Sequence, residues 1–506
     1  MTDSNENTLR IAILSAPTLL YESKKGEEQM PARTGRQYLK GLVDDREVWF
    51  DGERIHDVME HPMLSRVAHT IASLLDAQYQ CPETMLMQSP DTNDQVGVTH
   101  IVPRTLADLQ RRRKAIRFWS EMTVGMLGRS PDYLNVTIAC FAGRPDVWAR
   151  RGNERGAENI LNYHHYIREN DLILTHAIVN PQVDRSREDT LVGTGEIALH
   201  KVGETADAII VRGARMLATL APFSDELVIY PNAPIRVQDT KYALCFALPI
   251  STPGLKFICR DSFVKERSVY DYPLSSRFDE MDAFVIFDDV HVPKDRVFLD
   301  GDAYTYSEVT EDTNWRAHFT HQAMIRAWTK LEFCFGLGHM LAETTGVNAF
   351  DHIQEKLGEM WTMAEMARSG IMAAESCATL DQNGIMTPDA RPLVALRNSM
   401  PKWMPRANEL LQLIGGGGLM CTPSEADING PMSADIKKYF QGRNADAERR
   451  IRIFRLAWDF LGSDLGGRSE LFERFYIGDS FRGTMTSYKM ADKTEPVALA
   501  NRFLMD

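Results

Sequence analysis

Several classes of protein are excluded by what this chain has little of. Its seven cysteines (Cys81, Cys140, Cys245, Cys259, Cys334, Cys377 and Cys421) are scattered, odd in number and never spaced Cys-x-x-Cys. That pattern predicts reduced thiols in a cytoplasmic protein, and neither a zinc nor an iron–sulfur motif; no metal site is expected. Basic residues are in deficit, 57 against 70 acidic, for a net charge of −13. This disfavours a nucleic-acid footprint. No apolar run approaches the roughly 20 residues of a membrane span. No strand–GxGxxG–helix unit is present, so a dinucleotide-binding domain is not supported. Only Arg10 precedes the apolar patch Ile11–Tyr21, and no small-residue cleavage pattern follows, so a secretory signal is not expected.

What remains is an ordinary globular composition, 44% hydrophobic and 25% charged over 506 residues. That length implies roughly two to four domains. Residues 1–29 read as an extension, with Met30 as an alternative start. Residues 30–172 are mainly helical in pattern, with helical spacing over His69–Tyr79 and Leu106–Met126. Residues 173–300 change texture: short apolar runs at Ile197–Val202, Ile209–Arg212, Leu227–Tyr230, Tyr242–Leu248, Lys256–Arg260 and Phe284–Phe287 predict a small barrel or sandwich. Residues 301–506 return to helical stripes. Met324, Trp328, Leu331 and Phe335 form one, closed by Gly346; Ile353, Leu357, Met360, Ala364, Ala367 and Ile371 form another. Thr387-Pro388-Asp389 caps a third, which Pro392, Pro401 and Pro405 are expected to bend or break. Ala445–Leu461 makes a fourth, and four long helices imply a bundle.

Chemistry-bearing groups concentrate in Asn162–Ser186, NYHHYIRENDLILTHAIVNPQVDRS. His164, His165, Arg168, His176, Asn180, Gln182, Asp184 and Arg185 sit around an apolar frame that Pro181 terminates. Two readings stand on these residues alone: a ligand-facing strand end with its loop, or a buried structural histidine with a solvated loop. Upstream, Ser130-Pro131-Asp132 is a helix start, which holds Arg129 at the helix mouth with Tyr133 just inside. The pair suits an anionic or phenolic ligand; Arg129 in an ion pair with a carboxylate is the competing reading.

Specific strings across most of the chain resemble a known family. FVIFDDVHVP (284–293), Gln412-Leu-Ile-Gly415-Gly-Gly-Gly418 and Tyr476-Ile477-Gly478-Asp479 resemble landmarks of the acyl-CoA dehydrogenase fold. The dehydrogenases carry their catalytic glutamate where this chain has Ile477, so dehydrogenation has no base here. RTGRQYLKGL, GRSPDY, THAIVNPQVDR, VRGARMLAT, YPLSSRFDEMDAFVIFDDVHVP, TPSEAD and GGRSELFERFYIGD resemble the oxygenase component of 4-hydroxyphenylacetate 3-monooxygenase, a two-component flavin hydroxylase family. The related 4-hydroxybutyryl-CoA dehydratases need cluster-ligating cysteines, which GRSPDY does not offer.

The resemblance implies an α+β, acyl-CoA dehydrogenase-like fold: helical domain, β-barrel, four-helix bundle. It implies FAD, taken up reduced (FADH2) from a separate NAD(P)H-dependent flavin reductase, and O2 as co-substrate. A flavin C4a-hydroperoxide then hydroxylates a phenol ortho to its hydroxyl, giving a catechol from 4-hydroxyphenylacetate or a similar para-substituted phenol. By resemblance Arg129, Tyr133 and His176 meet the phenol, with Asn232 opening the substrate loop. Flavin contacts fall on His176, Ala177, Ile178 and Val179, on Gln182, Val183, Asp184 and Arg185, on Thr219, and on Asp479, Ser480, Phe481 and Arg482. A homotetramer is implied as well. Alternatives kept open are a chlorophenol or nitrophenol monooxygenase, a hydroxylase of a tyrosine-derived intermediate, and, more remotely, a non-catalytic scaffold.

Overall fold

The computed structural model describes residues 32–504 apart from 232, 265–267, 477 and 479. The proposed extension 1–29, Asn232, Ile477 and Asp479 lie outside the described residues.

Helices Leu64–Gln80, Leu106–Met122, Pro131–Gly143 and Glu154–Glu169 build the first part. Their starts follow local chemistry. Thr105 and Asp108 form a reciprocal capping box, and Pro131 occupies a position where its missing N–H costs nothing. Ser130 takes the N-cap position, but its side chain makes no capping bond. Four three-residue strands interrupt this helical region: β1 (Val48–Phe50), β2 (Glu53–Ile55), β3 (Leu86–Gln88) and β4 (Gln95–Gly97). They are too short to carry an alternating pattern.

The middle of the chain supplies β5 (Leu174–His176), β6 (His200–Glu204), β7 (Ala208–Thr219), β8 (Glu226–Ile229), β9 (Leu244–Pro249), β10 (Leu255–Cys259), β11 (Asp282–Pro293) and β12 (Val297–Asp300). One sheet has the order β2-β1-β10-β11-β7-β6, the other β12-β9-β8-β5. Val211, Val285 and Phe287 from the first share a core with Leu227, Leu244 and Phe246 from the second. β1 joins by pairing parallel to β10, so residues from the helical region complete the sheet edge.

Helices Trp315–Thr345, Asp351–Ser376, Ala390–Gly415 and Ala447–Leu461 form the bundle. Gly346, at φ 79°, closes the first in the left-handed conformation only glycine adopts cheaply. The expected break in the third does not occur: Ala390–Gly415 runs through Pro401 and Pro405. Pro392 lies in the first turn, where no N–H partner is lost. Burial of Leu393, Met400, Met404, Ala407 and Leu411 offsets the two bonds the interior prolines delete. Helix–barrel–bundle is the acyl-CoA dehydrogenase-like arrangement. Among the described residues no helix is long and apolar enough to cross a membrane.

Candidate active site

β5 pairs parallel with β8, which sets His176 opposite Val228. Strand alternation then decides the rest. Leu174, Val228 and Tyr230 belong to the core shared with the helices, while Ala177, Leu227 and Ile229 face the core between the sheets. His176 therefore points at the Pro131–Gly143 helix, whose Tyr133 ring lies 5.3 Å from the imidazole. Tyr230 closes the other side, 5.5 Å from the imidazole ring, with its hydroxyl 3.5 Å from that of Tyr133. Phe319, from the long bundle helix, meets the Tyr133 ring edge-on at 5.7 Å.

His176 is only 5% exposed, and burial, reinforced by the Arg129 cation, holds its pKa well below the ordinary histidine value. The imidazole is neutral. Burial likewise raises Tyr230, aided by Tyr133, so that phenol stays protonated.

Arg129 is held in an unusual way. Its guanidinium lies 4.2 Å from the Tyr133 ring centre, 5.5 Å from Phe472 and 5.7 Å from Tyr476. Three aromatic faces cage the cation. Its backbone N–H donates to Glu280 Oε1 at 2.5 Å. Among the described residues its side chain finds only the Gly128 carbonyl, at 3.4 Å. The carboxylate pairing open on sequence grounds thus involves its backbone, and among the described residues no carboxylate meets its guanidinium. The loop is shaped by two glycines. Gly125 has φ 69°, and its carbonyl accepts from Arg326 at 2.9 Å. At Gly128 the Phe472 ring presses so close that a Cβ would overlap it.

The remaining expected residues divide. Ala177, Ile178 and Val179 run along the inner edge of the barrel, where Ile178 O accepts from Arg215 and Val179 O from the Met216 amide. Thr219 ends β7 beside them; its carbonyl accepts from Thr175 at 2.7 Å and its hydroxyl donates to Asp282 at 2.8 Å. Gln182, Val183 and Arg185 are exposed on the following loop, with Asp184 half-buried. Ser480, Phe481 and Arg482 start an exposed helix, Ser480–Met490, pinned to the bundle by Asn398 and Ser487. Asn232 and Asp479 lie outside the described residues.

The histidine-rich half of Asn162–Ser186 goes elsewhere. His164 is buried on its helix against the His100 carbonyl, and burial lowers its pKa to about 3. Asp91, His165 and Glu169 bring their ligand atoms within 4.8 Å of one another, but Arg168 already pairs with both carboxylates.

Reading the chain by motif missed Tyr230, Phe319, Phe472, Glu280 and Arg397. Tyr230 was reachable as the aromatic two residues beyond Val228 on a strand that ends beside His176. Phe472 precedes Tyr476 by one helical turn and stacks on it at 4.5 Å. Arg397 comes within reach of the Tyr476 turn, where a Cβ on Gly478 would lie 3.3 Å from its Nη2. No local pattern announces that approach.

Comparison with known proteins bears on the chain as a whole. Residues 34–299 match the family model "4-hydroxyphenylacetate 3-hydroxylase N terminal", and residues 306–505 the model "4-hydroxyphenylacetate 3-hydroxylase C terminal". The 4-hydroxyphenylacetate 3-monooxygenase oxygenase component of Thermus thermophilus is 38% identical over 463 residues, 91% of this chain and 95% of that protein. The oxygenase component of a 4-nitrophenol 2-monooxygenase from a Rhodococcus species is 34% identical over 88% of this chain and 86% of that protein. A crystal structure of a 4-hydroxyphenylacetate 3-monooxygenase oxygenase component, complexed with FAD and 4-hydroxyphenylacetate, superimposes with a TM-score of 0.90 at 38% identity, covering 94% of this chain and 98% of that one. The helix–barrel–bundle fold, the Arg129–Tyr133–His176 cluster and these matches over nearly the whole chain lead to one conclusion: the chain belongs to the 4-hydroxyphenylacetate 3-hydroxylase family.

Proposed function

We propose that this protein is the oxygenase component of a two-component flavin monooxygenase that hydroxylates a phenol ortho to its hydroxyl, giving a catechol. The observation that carries the reading is the Arg129 guanidinium, which among the described residues has no carboxylate partner, is caged by three rings and is set beside a buried His176 held neutral. A cation ringed by aromatic faces fits an anion, and a neutral imidazole fits a hydroxyl proton.

The residues present also fit a flavin. The barrel edge at Ala177–Val179 and the Thr219 strand end offer backbone and hydroxyl groups beside the cage. Gly416 and Gly417 lie in the short 3-10 turn Gly416–Leu419, where a Cβ on either would meet open space. Reduced FAD, when bound, supplies the activated oxygen from O2. Ala177, Ile178, Val179 and Thr219 would hold it from within, with Gln182, Val183, Asp184 and Arg185 on one rim and Ser480, Phe481 and Arg482 on the other; Asp479 stands as a further proposed contact.

The protein's own share is proton control, charge balance and dryness. His176 Nδ1 or Nε2 accepts the phenol proton in a hydrogen bond. As that proton is shared, negative charge grows on the phenol oxygen and the ring becomes a better carbon nucleophile. Arg129 offsets that charge in a site from which water is excluded, where its effect is larger than in bulk. The Tyr133–Tyr230 hydroxyl pair adds an oriented donor. Asn232 stands as a proposed contact to the far end of the substrate.

Two substrate readings remain: 4-hydroxyphenylacetate or a close relative, and a nitrophenol or chlorophenol, favoured by the Rhodococcus relative. A panel of such phenols incubated with reduced FAD and O2 tests the proposal; absence of catechol from every member would sink it. His176→Ala should slow hydroxylation by about 10²–10⁴-fold while reduced FAD still binds by titration.

Assembly and location belong to the same proposal. The chain works as a homotetramer served by an NAD(P)H-dependent flavin reductase, which the exposed apolar residues Trp361, Met366 and Leu413 on bundle helices support. A single-subunit mass in sedimentation equilibrium would contradict the tetramer. Free cysteines throughout the described residues support the cytoplasm. We likewise propose the units 30–172, 173–300 and 301–506 as its domains, following the extension 1–29.

A further inference from the structure

The string YPLSSRFDEMDAFVIFDDVHVP and the string GGRSELFERFYIGD meet in space through one ion network. Glu280, fully buried, accepts the Arg129 amide on Oε1 at 2.5 Å and Arg468 Nη1 on Oε2 at 2.8 Å. Arg468 continues to Asp282, with Nη2 2.9 Å from Oδ1 and Nε 3.2 Å from Oδ2. Asp282 Oδ1 also accepts the Thr219 hydroxyl at 2.8 Å. Arg260 backs the cluster, donating to Asp282 at 3.1 Å and to Asp279 at 2.7 Å. Arg468 and Phe472 lie on one helix, Asp464–Phe475, and the Arg468 cation is 5.0 Å from the Phe472 ring that packs on Gly128.

We infer that Arg468 is a positioning residue for the hydroxylation: by bridging Glu280 and Asp282 it fixes the backbone at Arg129 and the hydroxyl of Thr219. The inference rests on the function proposed above. Its physical basis is geometric. A guanidinium presents several donors in one rigid plane, so it holds two carboxylates in a fixed mutual orientation; an ammonium is a compact charge on a flexible stem and fixes that orientation less well. One carboxylate, Glu280, reaches the loop of the caged cation. The other, Asp282, opens β11 and reaches the end of β7. The two groups lie at positions 129 and 219, in different parts of the chain, and nothing local couples them. Burial works against charge on Arg468, but Asp282 and Glu280 outweigh it and keep its pKa above the ordinary arginine value. Without Arg468 the buried Glu280 is left as an unpaired charge. Relief comes by drawing in water or by moving the carboxylate, and either shifts the Arg129 amide with it.

The test uses the full-length protein and three variants. Arg468→Gln should speed amide exchange of the peptide spanning 126–132 by about tenfold or more in flavin-free protein, with the Asp351–Ser376 helix unchanged. The same variant, with the reductase and well below its melting temperature, should yield about tenfold less catechol per reduced FAD consumed, the rest appearing as peroxide, because a shift of about 1 Å is enough for such losses. Glu280→Gln combined with Arg468→Gln should recover the exchange readout, since the side-chain carbonyl that replaces the Glu280 carboxylate still accepts the Arg129 amide and no charge is stranded, but not the coupling, because the bridge to Asp282 and Thr219 stays cut. Arg468→Lys should show a smaller loss in both. Wild-type exchange and coupling in Arg468→Gln, or in Arg468→Lys if the glutamine variant does not fold, overturns the inference; so does a double variant that regains wild-type coupling. If the wild-type protein makes no catechol from any phenol, the proposed function fails, while the exchange measurement still decides whether Arg468 holds the Arg129 loop.

Discussion

Two buried regions flank the Tyr476 turn, and they treat charge in opposite ways. On one side Arg326 and Lys330 converge on Glu473, with Arg326 Nη1 and Nη2 at 2.7 and 2.9 Å from its two oxygens and Lys330 Nζ at 2.9 Å. Burial works to raise Glu473, but the two cations outweigh it and hold it at about 2. On the other side the Arg129 cation has rings around it and, among the described residues, no carboxylate on its side chain. The first arrangement locks helix Asp464–Phe475 to the bundle. The second keeps a charge in reserve for something not part of the chain. Buried charges that are paired read as architecture; one that is insulated but unpaired reads as a binding group.

The largest effect should come from breaking the paired side. Glu473→Ala strands Arg326 and Lys330, and the loss in unfolding free energy should be about 3–5 kcal/mol, measured by urea denaturation. A loss near zero would mean the pairing is not what holds that helix. Removing the unpaired cation should do the reverse. Arg129→Met should lower catechol formation by about 10²–10³-fold, yet leave the melting temperature unchanged or raised, because among the described residues no carboxylate is stranded. A clear drop in stability would erase the distinction between the two regions.

The smallest effect is graded and concerns pH. Burial depresses His164, His176 and His318 in the folded state, His164 to about 3. Below about pH 6.5 the unfolded chain takes up protons that these folded imidazoles refuse. Stability is therefore unaffected by them above that pH and falls as pH drops through it, by about 1.4 kcal/mol per pH unit for each histidine. Urea midpoints at pH 7.5, 6.0 and 5.0 should show this slope, and His176→Ala should shallow it by about one proton. An unchanged slope in that variant would mean the imidazole is not held neutral.

The long elements were legible because each repeats one physical signal. The stripe through Met324, Trp328 and Leu331 and the stop at Gly346 both hold in helix Trp315–Thr345. Three-residue strands such as β1 carry no such repetition; β1 exists because β10 offers it an edge. The same limit governs the prolines, since the cost of Pro401 and Pro405 is visible locally whereas the apolar burial that offsets it is not. In the site, GRSPDY and THAIVNPQVDR supplied Arg129, Tyr133 and His176 because each motif is contiguous. Tyr230, Phe472 and Glu280 were hidden, being defined by what they touch.

The sequence alone therefore determined the family and which long segments are helix or strand, and it proposed which side chains carry the chemistry. Tertiary structure decided their electrical state: that His176 is held neutral, that Arg129 has no carboxylate on its side chain among the described residues, and that Glu280 is bridged by a guanidinium 188 residues away. The reason is one of range. Backbone preference and periodicity act over a few neighbouring residues, whereas the charge on a buried group depends on solvent exclusion and on every partner within a few ångströms, wherever in the chain those partners originate.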